Sequence, residues 1–109
     1  MNASGAAHLH FDRADGPDEA VLVLHGSLDL ASATELHQRL EQVMEEGWSR
    51  IVLDLSGVDF VNSTGLGVMV ATTKQLRGAG GDLVLRSFQG IPSEALAITG
   101  LDSFLTIES

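Results

Sequence analysis

A chain of 109 residues holds one domain's worth of core, and its 44% hydrophobic content is that of an ordinary globular protein. Six Lys and Arg against 15 Asp and Glu leave a formal charge of -9, which repels phosphate backbones and anionic bilayers, so neither nucleic acid nor membrane is expected as a partner. The absence of cysteine removes disulfides and thiolate metal sites.

The start, MNASGAAHLH, has neither the basic head nor the long apolar core of an export signal, and no apolar run is long enough to span a bilayer. Both features point to the cytoplasm. Residues 1–7 are expected to be flexible, and an extra N-terminal strand is expected near His8 to Phe11. Residues 12–19, DRADGPDE, read as an acidic loop.

VLVL at 21–24 reads as a strand that is apolar on both faces, which requires helices to cover it. Ser32-Ala33-Thr34-Glu35 has the spacing of a capping box; Ala33, Leu36, Leu40, Val43 and Met44 follow as one apolar stripe, and Gly47 stands where a helix stops. IVLDL at 51–55 is the next strand. A second stripe of Leu66, Met69, Val70, Thr73 and Leu76 ends at Gly78-Ala79-Gly80-Gly81. LVL at 83–85 reads as a strand, Pro92 and Gly100 bracket a short third helix, and FLTI at 104–107 reads as the last strand. Strands alternating with helices predict a single α/β domain over residues 1–109, with a mostly parallel sheet of about four to five strands and about three helices.

Between the strand at 51–55 and the second helix lies FVNSTGLGV, residues 60–68, in which Asn62-Ser63-Thr64-Gly65 interrupts the apolar run. One N-cap satisfies an orphan helix amide, and here three capping residue types stand in a row. Gly65 is expected to permit a tight backbone turn. A hydroxyl at a helix N-terminus also sits where amides and the helix dipole favour negative charge, so a phosphate on Ser63 or Thr64 is tolerated there.

Other chemistries fit less well. Gly65-Leu66-Gly67 begins like a dinucleotide fingerprint, but Val70 replaces the third glycine, and Lys74, the single lysine, lies in no phosphate loop. Ser63 has no nucleophile elbow, and His8, His10, His25 and His37 lie far upstream. His8 and His10 share a strand face, but no second ligand cluster follows, so no metal and no cofactor are expected. Asp54, without the acidic pair of a phospho-receiver, is expected to cap or solvate a strand end.

Leu53-Asp54-Leu55-Ser56 followed by Val58 to Gly67, VDFVNSTGLG, resembles the signature segment of the STAS domain in bacterial anti-sigma-factor antagonists. Gly26-Ser27-Leu28-Asp29 and Ile98-Thr99-Gly100-Leu101 resemble two further signatures of that family, in matching order, over about residues 8–107. The resemblance implies a partner-switching regulator and not an enzyme. Unmodified, such a protein binds an anti-sigma factor that is an ATP-dependent serine kinase and frees a sigma factor for transcription, in stress response or sporulation. The kinase phosphorylates the serine of this turn, which breaks the complex, and a serine phosphatase restores it. By motif position that serine is Ser63, with Thr64 the second candidate.

On the same resemblance the partner-binding residues are Asp29, Asn62, Ser63, Thr64, Gly65, Leu66 and Val68. Asp29 is expected at the exit of the second strand, beside the Ser63 turn, where it contacts the kinase or caps the helix that begins near Ser32. Among Leu66, Val68 and Met69, Val68 lies off the apolar stripe and is expected to face outward. Asn62 departs from the usual aspartate and Ser27 from a more acidic or bulkier residue, and the sequence given ends at Ser109, after the last strand, where these domains commonly continue into a final helix. Without that helix one sheet face is expected to be less covered, as a surface for a homodimer. The rival readings are a non-switching STAS scaffold or sensing subunit, in which Ser63 is only a cap, and a small-molecule binding domain or enzyme built on the same turn.

Overall fold

The computed structural model describes residues 9–88 and 100–108. The elements run β1 (Leu9–Arg13), β2 (Ala20–Leu28), α1 (Leu30–Glu45), β3 (Arg50–Val61), α2 (Ser63–Gly78), β4 (Asp82–Arg86), α3 (Leu101–Phe104) and β5 (Thr106–Glu108). The five strands form one sheet in the order β1-β2-β3-β4-β5. Only the β1–β2 pairing is antiparallel; the other three are parallel. The mixed, mostly parallel α/β sheet expected from the sequence is therefore present.

Because each parallel strand lies beside the next in sequence, both crossover helices return over the same face, where α1 and α2 pack against each other. That face carries the main core. Leu22, Leu24 and Leu28 of β2, Ile51, Leu53 and Leu55 of β3 and Leu83 and Leu85 of β4 meet Leu36, Leu40 and Val43 of α1 and Met69 and Leu76 of α2, all buried. On the opposite face Val21, Val52 and Val84 form a smaller cluster that is also buried, with Val23 packed partly against it. Among the described residues these valines are buried, so the less covered apolar face expected above is not seen along them.

Four sequence expectations are corrected at the element ends. Helix α1 begins at Leu30, not near Ser32, and its N-cap is Asp29. The capping box exists one turn earlier than expected: Ser32 N–H donates to Asp29 Oδ1 at 3.1 Å, and Asp29 N–H donates to Ser32 Oγ at 2.9 Å. Ser32 is the N3 residue of the box and is buried, its hydroxyl donating to the Ser27 carbonyl. Asp54 sits mid-strand in β3 rather than at its end; it accepts from the Ser56 amide and hydroxyl. Phe104 belongs to the α3 turn rather than to the last strand, and its ring lies under the Arg77 guanidinium. The first strand covers Leu9–Arg13, so His8 lies outside the described residues, as does the stretch between Pro92 and Gly100 where a third helix is expected. Gly47 stops α1 as expected, with φ 102 just beyond the Glu46 C-cap.

Candidate functional site

Two helices start side by side at one edge of the sheet. Leu28 at the end of β2 pairs with Val61 at the end of β3, and the Asn62 N–H donates to the Leu28 carbonyl at 3.0 Å. The next residue on each strand is a helix cap, Asp29 for α1 and Asn62 for α2. Parallel neighbours of equal register deliver their exits to the same edge, which is where open α/β sheets place their sites. Asp29 and the Ser63 turn are thus brought together as the sequence predicts, and Asp29 also takes its helix-capping role.

Within the turn the capping work falls to one residue. Asn62 Oδ1 accepts from the Gly65 N–H at 3.0 Å, and the Asn62 carbonyl accepts from Leu66 N–H. A cap of this kind is worth about 1 kcal/mol. Ser63 and Thr64, the first two helical residues, are both exposed, and among the described residues neither hydroxyl has a hydrogen-bond partner. The amides of Ser63 and Thr64 are likewise unspent by the cap, and they point with the helix dipole toward the edge. A hydroxyl that is exposed, unbonded and set at the positive end of a helix can accept a phosphoryl group without breaking anything that holds the turn.

Gly65 has a different task from the one expected. Its backbone is helical, with no positive φ. A Cβ placed on it would lie 2.5 Å from Leu28 Cγ and 2.7 Å from Leu28 Cδ2. The absent side chain lets the first turn of α2 press onto the buried Leu28, which fixes the height of Ser63 above the sheet. Leu66 and Val68 are half-buried and pack against the main core, so Val68 is not the outward-facing residue expected of it. Met69 is fully buried.

The exposed apolar groups of this edge are ones the sequence reading missed. Leu30, the first residue of α1, is 70% exposed, and Phe60 is 50% exposed. Leu30 lines a shallow depression with Asp29, Ala31, Thr34 and Asn62. Phe60 turns outward because of a bulge. Gly26 pairs with Val58, but Ser27 pairs with Phe60, so Asp59 is an extra residue in β3. Simple alternation from buried Val58 would turn Phe60 inward; the bulge gives that place to Val61, which is buried. The Asp29 N-cap was the available signal for Leu30, since the residue after a cap projects from the helix start. Asp59 accepts from Ser27 Oγ at 2.9 Å, which ties the two signature segments together across the bulge.

His10 and His25 meet on the β1–β2 edge, with ring centroids 5.9 Å apart and both near the Asp12 carboxylate. Among the described residues no group of three or more metal-ligating side chains has the geometry to hold an ion. No described helix is long and apolar enough to cross a membrane.

The family model described as "Mlab, STAS domain" matches residues 11–107. The chain belongs to the STAS domain family. BtrV of Bordetella bronchiseptica, provisionally named an anti-sigma factor antagonist, is 33% identical over 99 residues, 91% of this chain and 84% of that protein. The anti-sigma-B factor antagonist of Bacillus subtilis is 28% identical over 102 residues, 94% of this chain and 93% of that protein. The crystal structure of an anti-sigma factor antagonist from Mycobacterium paratuberculosis shares the STAS fold with a TM-score of 0.81 at 23% identity, over 98% of this chain and 90% of that one.

Proposed function

We propose that this STAS domain is an anti-sigma-factor antagonist that works by partner switching, as a regulator and not as an enzyme. In its unmodified form the edge formed by Asp29, Asn62, Ser63, Thr64 and Gly65 binds an anti-sigma factor with serine kinase activity, which then lets go of its sigma factor. The kinase transfers the γ-phosphoryl group of ATP to Ser63 Oγ. ADP leaves, the hydroxyl proton passes to a base on the kinase, and the phosphorylated domain dissociates. A serine phosphatase hydrolyses the ester and returns the domain to its binding form. These steps take place in the cytoplasm.

The observation that carries this reading is the division of labour in the turn. Asn62 caps α2, and among the described residues the Ser63 hydroxyl is exposed and without a hydrogen-bond partner at the positive end of the helix. The relatives named as anti-sigma factor antagonists support the partner class. A phosphate adds about 1.5 to 2 negative charges, and with the turn able to hold it, its effect falls on the partner's surface through repulsion and desolvation.

The test is binding of Ser63→Ala and Ser63→Asp to the serine-kinase anti-sigma factors of the source organism, each purified and titrated singly. Ser63→Ala should bind like the wild type, and Ser63→Asp should lose at least 100-fold, about 2.7 kcal/mol. Equal affinities for the two variants would mean that Ser63 is only part of the helix start and that the domain is a non-switching scaffold.

A further inference from the structure

We propose that the cleft between β1 and α1 binds a small carboxylate with a flat apolar body, in its simplest form a monocyclic aromatic carboxylate, held by Arg39 and Gln42 over the ring of Phe11. The cleft has a volume of about 140 Å³ and lies at the edge strand β1, on the side of the sheet that α1 covers. Strand alternation builds it. Phe11 and Arg13 pair with Leu24 and Leu22 of the main core and share their face, whereas His10 and Asp12 point the other way. The floor is apolar: Leu22 and Val43 are buried, and Phe11 is half-buried against the core. Arg39 stands nine residues beyond Leu30, about 14 Å along the helix axis, so the cleft is separate from the Ser63 turn.

Two polar side chains above this floor have donors available. The Arg39 guanidinium lies over the Phe11 ring, its Cζ 5.0 Å from the ring centroid. Its nearest acid is Glu35, with Nη2 and Oε2 3.9 Å apart, too long for a hydrogen bond, and among the described residues it donates none. Arg13, Arg50, Arg77 and Arg86, by contrast, each donate to a carboxylate. Gln42 follows Arg39 by three residues on the same helix face, and its side-chain amide likewise has no partner among the described residues. The acid at the cleft is already engaged: the Asp12 carboxylate lies 3.2 Å from His10 Nε2, on the opposite face of the sheet. Arg13, which also lines the cleft, holds Asp15 and Glu46. An arriving anion therefore meets one open cation and no unpaired carboxylate in the lining. A guanidinium gives a carboxylate two parallel N–H bonds, and it can do so while stacked on an aromatic face. Gln42 supplies a further donor. An apolar space of about 150 Å³ accommodates one benzene ring, which sets the apolar body at a single ring. An inorganic anion would leave the floor wet, and a neutral apolar molecule would leave Arg39 and Gln42 without an acceptor, so the two halves of the cleft together select an aryl carboxylate.

The test is a titration of the full chain with sodium benzoate, followed by amide chemical shifts, with benzamide, acetate and benzylammonium as probes that lack the charge, lack the ring or reverse the charge. Benzoate should shift the amides of residues 11–13, 22 and 39–43 saturably, with a Kd of about 1 mM or tighter, as a ligand of this size allows. Each of the other three probes should bind about 10-fold more weakly or worse. Arg39→Gln should weaken benzoate by about 10-fold, Arg39→Lys by less, because it keeps the charge and loses the fork, and Phe11→Leu by about 5-fold. The same spectra show whether each variant is folded, and Ser63→Ala should bind benzoate like the wild type. Absence of saturable shifts at the cleft would overturn the proposal. So would benzoate binding that Arg39→Gln leaves unchanged, or benzamide binding as tightly as benzoate, since either removes the anion recognition. Saturable shifts confined to the Ser63 turn would place the anion at the helix starts and overturn it as well.

Discussion

At the scale of single residues, the Ser63 turn depends on what is missing from Gly65. The buried Leu28 occupies the space into which a Cβ would project, at 2.5 Å from its Cγ. Overpacking of this kind costs about 1–3 kcal/mol. Gly65→Ala should therefore lower the melting temperature by several degrees, and it should do so through Leu28 rather than through the backbone, since the φ of Gly65 is ordinary. A double-mutant cycle in thermal or urea unfolding separates these causes. In a Leu28→Ala background the added methyl finds room, so the cost of Gly65→Ala should shrink by more than half. Additive costs would show that the clash is not with Leu28. Asn62 makes the complementary point: where the family commonly has aspartate, asparagine keeps the same acceptor for the Gly65 amide and removes a charge beside the Ser63 hydroxyl.

At the scale of elements, one carboxylate at the far end of the sheet ties α2, β4 and β5 together. Asp82, at the start of β4, accepts from Thr106 Oγ1 of β5 at 2.6 Å and from Arg77 Nε of α2 at 3.0 Å. Partial burial pushes its pKa up, but the hydrogen bonds from Thr106, Arg77 and the Leu83 amide outweigh burial and hold it below the ordinary carboxylate range. A depressed pKa means that the unfolded chain binds a proton more readily than the folded one. The resulting stabilisation is fully present above the unfolded value of about 3.9 and is lost as pH falls through the lower folded value. Asp82→Asn should accordingly lower the melting temperature at pH 7, and its deficit relative to wild type should narrow as the pH is taken from 6 to 3. A deficit independent of pH would show that the hydrogen bonds, and not the charge, hold these elements. Asp54 adds to the same acid limb, since its bonds from the Ser56 amide and hydroxyl also depress its pKa.

The elements also show what a sequence can disclose. VLVL, IVLDL and LVL are strands because buried parallel strands need apolar residues on both faces, and the stripes of α1 and α2 are helical for the matching reason. The NSTG turn was visible as a cap, and the rule that adjacent parallel strands exit on one edge placed Asp29 beside it. What the sequence concealed depends on register. The start of α1 moved because Asp29, not Ser32, receives the first free amide, a choice made by the β2–β3 pairing that ends at Leu28. Phe60 faces water only because Asp59 is extra across from β2, and a bulge leaves no mark in hydrophobic alternation. Val68 looked free on a helical wheel, yet it is half-buried against the main core on the face where α1 and α2 pack together.

At the scale of the whole molecule, the topology separates the Ser63 turn from the core. Both helix starts lie on one edge, the buried leucines lie behind them, and Ser63 is exposed, its hydroxyl making no hydrogen bond among the described residues. A negative group on Ser63 gains from the unspent amides and the dipole of α2, worth about 0.3–1 kcal/mol at an exposed site, and is opposed by nearby Asp29 in a chain already at -9. These terms are small and of opposite sign, so the fold should be indifferent to a phosphate on Ser63. Ser63→Asp, and the protein phosphorylated on Ser63, should keep the far-UV circular dichroism of the wild type and a melting temperature within about 3 °C of it, a margin under 1 kcal/mol for a domain of this size. Amide chemical-shift changes should be confined to residues near 28–31 and 59–66. Shifts spread through β4 and β5, or a fall in melting temperature of about 10 °C, would mean that the phosphate acts by loosening the domain. With the changes confined to that edge, loss of binding has to arise where the charge meets the partner's surface.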